Sequence, residues 1–338
     1  MESAPATRPC IAVSMGDPGG IGPEVLCAAL SGGAGDAARI VIYGPSRALG
    51  RHDWPVVDSM EDIDPNEPVT VCQLDDGDDG QPFDHEPTAR NGAISHAQVL
   101  HAIDATMLPD RHPARAQAIC TGPISKAAWV AAGQGAHLGH TELLAERLGA
   151  QRHAMAFVSR PLLVALVTAH IPLRLVAETI TTERVLDVIE LSAALCRDLG
   201  VQRPRVAVAG LNPHAGEGGA LGEEDEAIIA PAVDAAKARG LDVTGPLPGD
   251  TVFRDARRPG GIFDVVVAMY HDQALAPLKL VAFDEAVNIT LGLAVPRTSP
   301  DHGTAFGIAG RGVADAGSMA AALRLAAKLA AARATSPP

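Results

Sequence analysis

A chain of 338 residues, 47% hydrophobic and 20% charged, is long enough to bury a full core and to divide into two domains. Its formal net charge of -13, with no stripe of Lys or Arg, excludes nucleic acid as an expected partner. Only 3% of residues are aromatic, which favours aliphatic α/β layers over a β-sandwich, and five scattered cysteines (Cys10, Cys27, Cys72, Cys120 and Cys196) read as reduced core thiols rather than a disulfide framework.

The opening MESAPATRPC carries an acid at position 2 and no apolar run, so it does not read as a signal peptide. No stretch reaches the roughly 18 apolar residues that a membrane-spanning helix needs. A cytoplasmic location without membrane contact is the expectation. The first strand is CIAVSM at 10–15, and MGDPGGIGPEV at 15–25 turns from it into a helix with Pro23 at an early helical position. RIVIYG at 39–44 is the second strand. The acidic DDGDDGQPFDHEP at 75–87 reads as a solvated surface loop, followed by a helix over 91–108 and a strand at 116–120 (AQAIC).

GHTE at 139–142 opens a helix that Thr141 is placed either to cap or to use for holding a phosphate, with His140 beside it. LLVALVTA at 162–169 is a buried strand. The segment 182–199 spaces Val185, Val188, Ile189, Leu195 and Leu199 as one helix face, with Gly200 just beyond. RVAVAG at 205–210 and DVVVAMY at 264–270 are further strands, with a helix over 223–239 between them and another over 318–333. The final SPP reads as a frayed tail. Strands alternating with helices imply parallel pairing through right-handed crossovers in an open sheet, an α/β fold.

Three histidines follow apolar strands directly or nearly so: His170, His214 and His271. In an open parallel sheet the C-terminal strand ends share an edge where ligands bind. Three neutral imidazoles plus an open position would suit a catalytic divalent metal ion, and Asp250 and Asp272 are placed to orient ligands or move a proton. Lys279, Asn288 and Arg297 stand in apolar stretches and could meet a carboxylate or phosphate. The 15–25 turn matches neither G-x-G-x-x-G nor a P-loop, so DHGTAFGIAGRG at 301–312 is the better candidate for a nucleotide loop.

The ordered set MGDPGGIGPEV, TGPISK, GHTE, TAHIPL, LNPHAGEGG, GPLPGDT, YHDQALAPLK and VPRTSPDHGTA resembles the 4-hydroxythreonine-4-phosphate dehydrogenase family along nearly the whole chain. The resemblance implies a two-domain α/β/α architecture related to isocitrate and isopropylmalate dehydrogenases, with the active site in the interdomain cleft at a homodimer interface. The expected division is 1–125 plus 298–338 as the first domain, carrying the cofactor loop, and 126–297 as the second, carrying the metal and the dimer interface.

The resemblance further implies metal ligation by His170, His214 and His271, drawn from both subunits, with Zn, Mg, Mn or Co as the ion. It implies substrate contacts from His140, Thr141, Lys279, Asn288 and Arg297, with Asp250, Asp272 and Lys279 as catalytic groups. It assigns NAD or NADP contacts to His302, Gly303 and Thr304. The implied reaction is oxidation of 4-phosphooxy-L-threonine to 2-amino-3-oxo-4-phosphooxybutanoate. Decarboxylation then gives 3-amino-2-oxopropyl phosphate, in the making of pyridoxine 5'-phosphate. The opening MGDPGG departs from the PGEPAG style of many pyridoxine-pathway members. Relatives acting on threonate or erythronate 4-phosphate or on an aromatic cis-dihydrodiol are therefore the alternative. From a different class, a metal-dependent hydrolase is the alternative if 301–312 binds no nucleotide.

Overall fold

The computed structural model describes residues 8–77, 81–137 and 139–335. Most of the opening MESAPAT, the centre of the acidic 75–87 segment and the final SPP lie outside the described residues. The chain divides into one unit formed by 1–150 with 293–338 and a second formed by 151–292.

In chain order the first unit begins with β1 (Cys10–Ser14), α1 (Gly22–Ser31), β2 (Arg39–Tyr43), β3 (Val56–Val57), β4 (Val69–Cys72), α2 (Ala89–Met107) and β5 (Ala118–Thr121). It continues with α3 (Lys126–Ala131) and α4 (His140–Arg147). The second unit holds β6 (Ala154–Val158), β7 (Leu163–Leu166), α5 (Val176–Thr179), α6 (Thr182–Asp198) and β8 (Arg205–Ala209). A π-helical turn at Asp225–Ile229 leads into α7 (Ala230–Ala238), β9 (Asp242–Leu247), α8 (Val252–Ala256), β10 (Val265–Ala268), α9 (His271–Ala282) and β11 (Val287–Leu291). The chain then returns to the first unit with β12 (Arg297–Pro300) and α10 (Gly317–Thr335).

The first unit's strands run in the order β3-β4-β2-β1-β5-β12, every pair parallel. Both faces are covered. Along β1, Cys10 and Ala12 join a core cluster with Val99 and Ile103 of α2, while the equally buried Ile11 and Val13 alternate to the opposite face. That double burial is why these strands read as unbroken apolar runs. Thr88 caps α2, its Oγ1 accepting from the Asn91 amide at 3.2 Å, and Thr181 caps α6 in the same way through Arg184 at 3.1 Å.

Helices α3 and α4, expected in the second domain, pack instead with the first: Trp129, Leu143 and Leu144 lie in the cluster that holds Cys10, Val41 and Val99, and Leu293 joins it from the returning chain. Burial of those side chains places the divisions at 150/151 and 292/293, rather than at 125 and 298.

The second unit's order is β11-β6-β7-β10-β8-β9. Here β7, β10, β8 and β9 are mutually parallel, but β6 pairs antiparallel with both β7 and β11. The all-parallel pairing expected from the alternation of strands and helices does not extend to this edge, because β6 and β7 are joined by a short turn that leaves no room for a crossover helix. A cluster from Val164, Leu166, Ala207 and Val266 packs on Leu275 and Leu278 of α9.

All five cysteines are free thiols, four of them buried. Among the described residues no helix is long and apolar enough to cross a membrane. The described parts of 75–87 are not uniformly solvated. Asp76 is buried against Arg47 at 2.5 Å, and Phe83 lies 4.1 Å from the Arg47 guanidinium.

Candidate active site

Strands β7, β10 and β8 are neighbours, and at their C-terminal ends the chain delivers His170, His271 and His214 in turn. The pairing continues past the strands. Val167 donates to the Ala268 carbonyl at 2.9 Å, Thr168 donates its amide to the Met269 carbonyl at 3.1 Å, and the Thr168 hydroxyl donates to the same oxygen at 2.7 Å. These bonds bring the rings of His170 and His271 to a centroid separation of 5.6 Å.

Gln273 ties the next gap: its Oε1 accepts from the Met269 amide and its Nε2 donates to the Gly210 carbonyl, both at 2.7 Å. His271 opens α9, and its Nδ1 donates to Asp272 Oδ1 at 2.7 Å. A carboxylate can only accept, so Nε2 is left with the lone pair a ligand or cation would use.

His214 stands in the 213–216 turn at φ 54°, with Ala215 at φ 53° and Glu217 at φ 45°. Three non-glycine residues in the left-handed region cost on the order of 1 kcal/mol each, a cost sustained only where surrounding structure over-determines them. Gly210 at the foot of this turn must be glycine. A Cβ there would sit 2.6 Å from Asp225 Oδ1 and 2.8 Å from Ala215 Cα.

A cavity of about 560 Å³ opens among these loops, lined by Asn212, His214, Asp250, Tyr270, Asp272 and Gln273. The second unit thus gathers His214, Asp250 and Asp272 around one space and sets His170 beside His271. Among the described residues no group of three His, Cys, Asp or Glu side chains is close enough to hold a metal ion within this one chain. The strand order gives the reason: the His170 and His214 loops flank the His271 loop, two strand spacings or roughly 10 Å apart.

Neither Lys279 nor Asn288 lines that cavity. Lys279 is half-buried on α9 with its Nζ 5.4 Å from the Phe283 ring centroid. Asn288 lies on β11 with a buried Oδ1 that lacks a hydrogen-bond partner among the described residues.

In the first unit, Arg297 opens β12 opposite Ile119 and is 3% exposed. Its Nε and Nη2 both donate to Thr121 Oγ1, at 3.1 and 2.5 Å. Burial pulls its pKa down to about 10, partly offset by Cys120 and Glu142, which leaves it charged at neutral pH. His140 opens α4 edge-on to Trp129, and its buried Nε2 has no hydrogen-bond partner among the described residues. Burial first, then Arg297 and Lys126, hold its pKa well below the usual imidazole range. A neutral imidazole beside a buried guanidinium can bind an anion without itself titrating near neutral pH. Thr141 does not cap α4: Gly139 occupies that position, and no side chain caps the helix.

The 15–25 turn is bonded to the 301–312 segment by the Ile21 amide, which donates to the Thr304 carbonyl at 2.9 Å. His302 places its Nδ1 3.1 Å from the Gly303 carbonyl, and Gly303 itself is exposed. A cavity of about 280 Å³ lies here, lined by Gly20, Glu24, Arg47, Phe83, His85 and Gly310. Asp17 in the same turn is fully buried. Its Oδ1 accepts from the Gly19 amide at 3.0 Å, and burial raises its pKa to about 6 against the pull of Gly19 and Asn91.

Because that pKa lies above the 3.8 of the unfolded chain, the folded state holds the extra proton between the two values, and stability from this group is lost as pH rises through that window. Asp17→Asn keeps an acceptor for Gly19 and removes the buried charge. It is expected to be more stable than the parent by on the order of 3 kcal/mol above about pH 7 and no more stable below about pH 4. Denaturant midpoints at the two pH values check this, and an equal difference at both would refute it.

Asp17, Gln273, Asp225 and Lys126 are site-adjacent residues that the sequence reading did not select. Asp17, Gln273 and Lys126 lie inside the motifs MGDPGGIGPEV, YHDQALAPLK and TGPISK, so a sequence signal was present for all three. Asp225 sits in the acidic run GEEDE, which reads as a solvated surface.

The family model described as "Pyridoxal phosphate biosynthetic protein PdxA" matches residues 39–326. The chain is 42% identical over 329 residues to the 4-hydroxythreonine-4-phosphate dehydrogenase of Xanthomonas axonopodis pv. citri, covering 96% of this chain and 99% of that one. It is 41% identical over 330 residues to the D-threonate 4-phosphate dehydrogenase of Salmonella typhimurium, covering 95% and 98%. The crystal structure of the 4-hydroxythreonine-4-phosphate dehydrogenase from Klebsiella pneumoniae superimposes with a TM-score of 0.83 at 38% identity, covering 97% of this chain and 99% of that one. Fold, site and relatives together define an α/β oxidoreductase of the dehydrogenase class. More narrowly, the chain belongs to the pyridoxal phosphate biosynthetic protein PdxA family.

Proposed function

We propose that this chain oxidises the C3 hydroxyl of 4-phosphooxy-L-threonine with NAD or NADP and a divalent metal ion, and that the β-keto acid formed loses carbon dioxide to give 3-amino-2-oxopropyl phosphate for pyridoxine 5'-phosphate synthesis. The observation that carries the reading is the delivery of His170, His271 and His214 from three adjacent strand ends beside a cavity that also takes in Asp250 and Asp272. Imidazoles suit Zn, Co or Mn, and Mg is the oxygen-preferring alternative. His271, with Nε2 left open by Asp272, and the adjacent His170 fit two positions of such an ion; His214 or a histidine of a second subunit supplies the third.

When bound, the ion supplies Lewis-acid stabilisation of the negative charge that develops on oxygen. The chain's own groups do the rest. Hydride leaves C3 for the nicotinamide, and the hydroxyl proton passes to Asp250 or Asp272. Arg297, Lys279, His140, Thr141 and Asn288 hold the carboxylate and phosphate, and His302, Gly303 and Thr304, with the neighbouring 280 Å³ cavity, take the dinucleotide. Leu280, Phe283 and Leu173 of the second unit are 86%, 68% and 68% exposed, apolar side chains that a second copy of the chain in a homodimer would cover.

The 41% identity to a D-threonate 4-phosphate dehydrogenase, against 42% to a 4-hydroxythreonine-4-phosphate dehydrogenase, favours a second reading, in which D-threonate 4-phosphate is the substrate. The test is NAD(P)H formation from each compound in turn, with and without EDTA and with Zn²⁺, Co²⁺, Mn²⁺ or Mg²⁺ restored. Reduction that EDTA abolishes and one ion restores is expected with 4-phosphooxy-L-threonine. Reduction with D-threonate 4-phosphate alone selects the second reading, and none with either substrate overturns both.

A further inference from the structure

We infer that Asp225 is the positioning residue for His214, a step that rests on the reading of His214 as a metal ligand. Asp225 is fully buried at the start of the π-helical turn. Its Oδ1 accepts from the Leu211 amide at 2.8 Å, and its Oδ2 accepts from the Asn212 amide at 3.0 Å and from Asn212 Nδ2 at 2.9 Å. Every one of these donors is an amide, and every one belongs to the two residues that lead into the left-handed turn carrying His214.

A buried carboxylate is a costly way to hold a loop, since its charge must be satisfied by several donors at once. What it adds is geometry. Two consecutive backbone N–H groups converge on its two oxygens, so the chain direction after β8 is fixed before His214 is reached. An asparagine would put an NH₂ where one of those N–H groups must find an acceptor. The π-helical turn itself is the kind of local insertion that recurs at functional sites, and here it brings Asp225 against Gly210 and Gly216 as well. The left-handed residues at 214, 215 and 217 are thereby over-determined rather than strained without cause.

The test reads Co²⁺ affinity of the full-length chain by calorimetry in wild type, Asp225→Asn, His214→Ala and the double variant. Asp225→Asn is expected to weaken binding by about 10- to 100-fold. In the double variant the loss is expected to equal that of His214→Ala alone, because the two act through one ligand. Additive losses would show Asp225 acting on the fold in general and would overturn the inference.

Hydrogen exchange of wild type covers the case in which the variant does not fold: the Leu211 and Asn212 amides are expected to be protected, and rapid exchange at either overturns the inference. If wild type binds no Co²⁺, the metal reading under the proposed function fails on its own. Positioning is then judged by the His214 imidazole resonance, whose displacement in Asp225→Asn supports the inference and whose constancy overturns it.

Discussion

Substituting His271 by alanine is expected to lower metal-dependent turnover by roughly 10³-fold, the scale on which removal of a group that positions transition-state stabilisation acts, while leaving the fold in place. His271 follows the middle of the three neighbouring strands. Its ring stands 5.6 Å from that of His170, and its Nδ1 bond to Asp272 aims Nε2 away from that carboxylate. Losing it removes the middle member of the three strand ends, which no neighbour can replace. The side chain is partly exposed at the start of α9, so truncation there should change stability by no more than about 0.5 kcal/mol. Turnover at saturating metal, set beside a thermal melt, measures both. Retained turnover would remove His271 from the mechanism, and loss of turnover together with collapse of the melt would reduce it to a structural role.

Arg297→Met is expected to reduce kcat/KM by roughly 10²- to 10³-fold and yet to leave the protein as stable as the parent or more so. A buried cation that meets a substrate anion is worth about 3–4 kcal/mol to the reaction when its partner is charged. Arg297 donates to the neutral Thr121 hydroxyl, and burial is the largest influence on its ionisation. An apolar side chain of similar volume avoids that desolvation, and such replacements are often neutral or stabilising. Kinetics with varied phosphorylated substrate and urea midpoints on the same preparations test the pair of effects. A variant that loses stability and keeps its kcat/KM would sink the assignment of Arg297 to the substrate.

The α/β class was legible in the sequence because strands buried on both faces show unbroken apolar runs, as RIVIYG and DVVVAMY do. The placement of three histidines after such runs was legible for the same reason. The antiparallel β6 and β11 were not: AMAFV and VNITL are short, and periodicity says nothing about the direction of a partner. The domain divisions were misplaced because Trp129, Leu143 and Leu144 look equally apolar whichever core receives them.

At the level of the site, adjacency to His271 pointed to Asp272 and an apolar context pointed to Arg297; the first bonds the His271 ring and the second is buried against Thr121. The sequence reading passed over Asp17, in the Gly-rich turn MGDPGG, and Asp225, in the acidic run GEEDE, since burial of a carboxylate is a tertiary event. Thr141, positioned in sequence to cap α4, was displaced by Gly139, whose extended backbone opens the helix without a side-chain acceptor.

The links that space the three histidine loops have a consequence for reading enzyme kinetics. Thr168 joins the end of β7 to that of β10 with a hydroxyl, and Gln273 joins the end of β10 to that of β8 with a carboxamide. Neither group gains or loses a proton across the range in which rates are measured. Those two links therefore do not come apart by titration of their own groups under acid or alkali, and they contribute no inflection of their own to a rate profile.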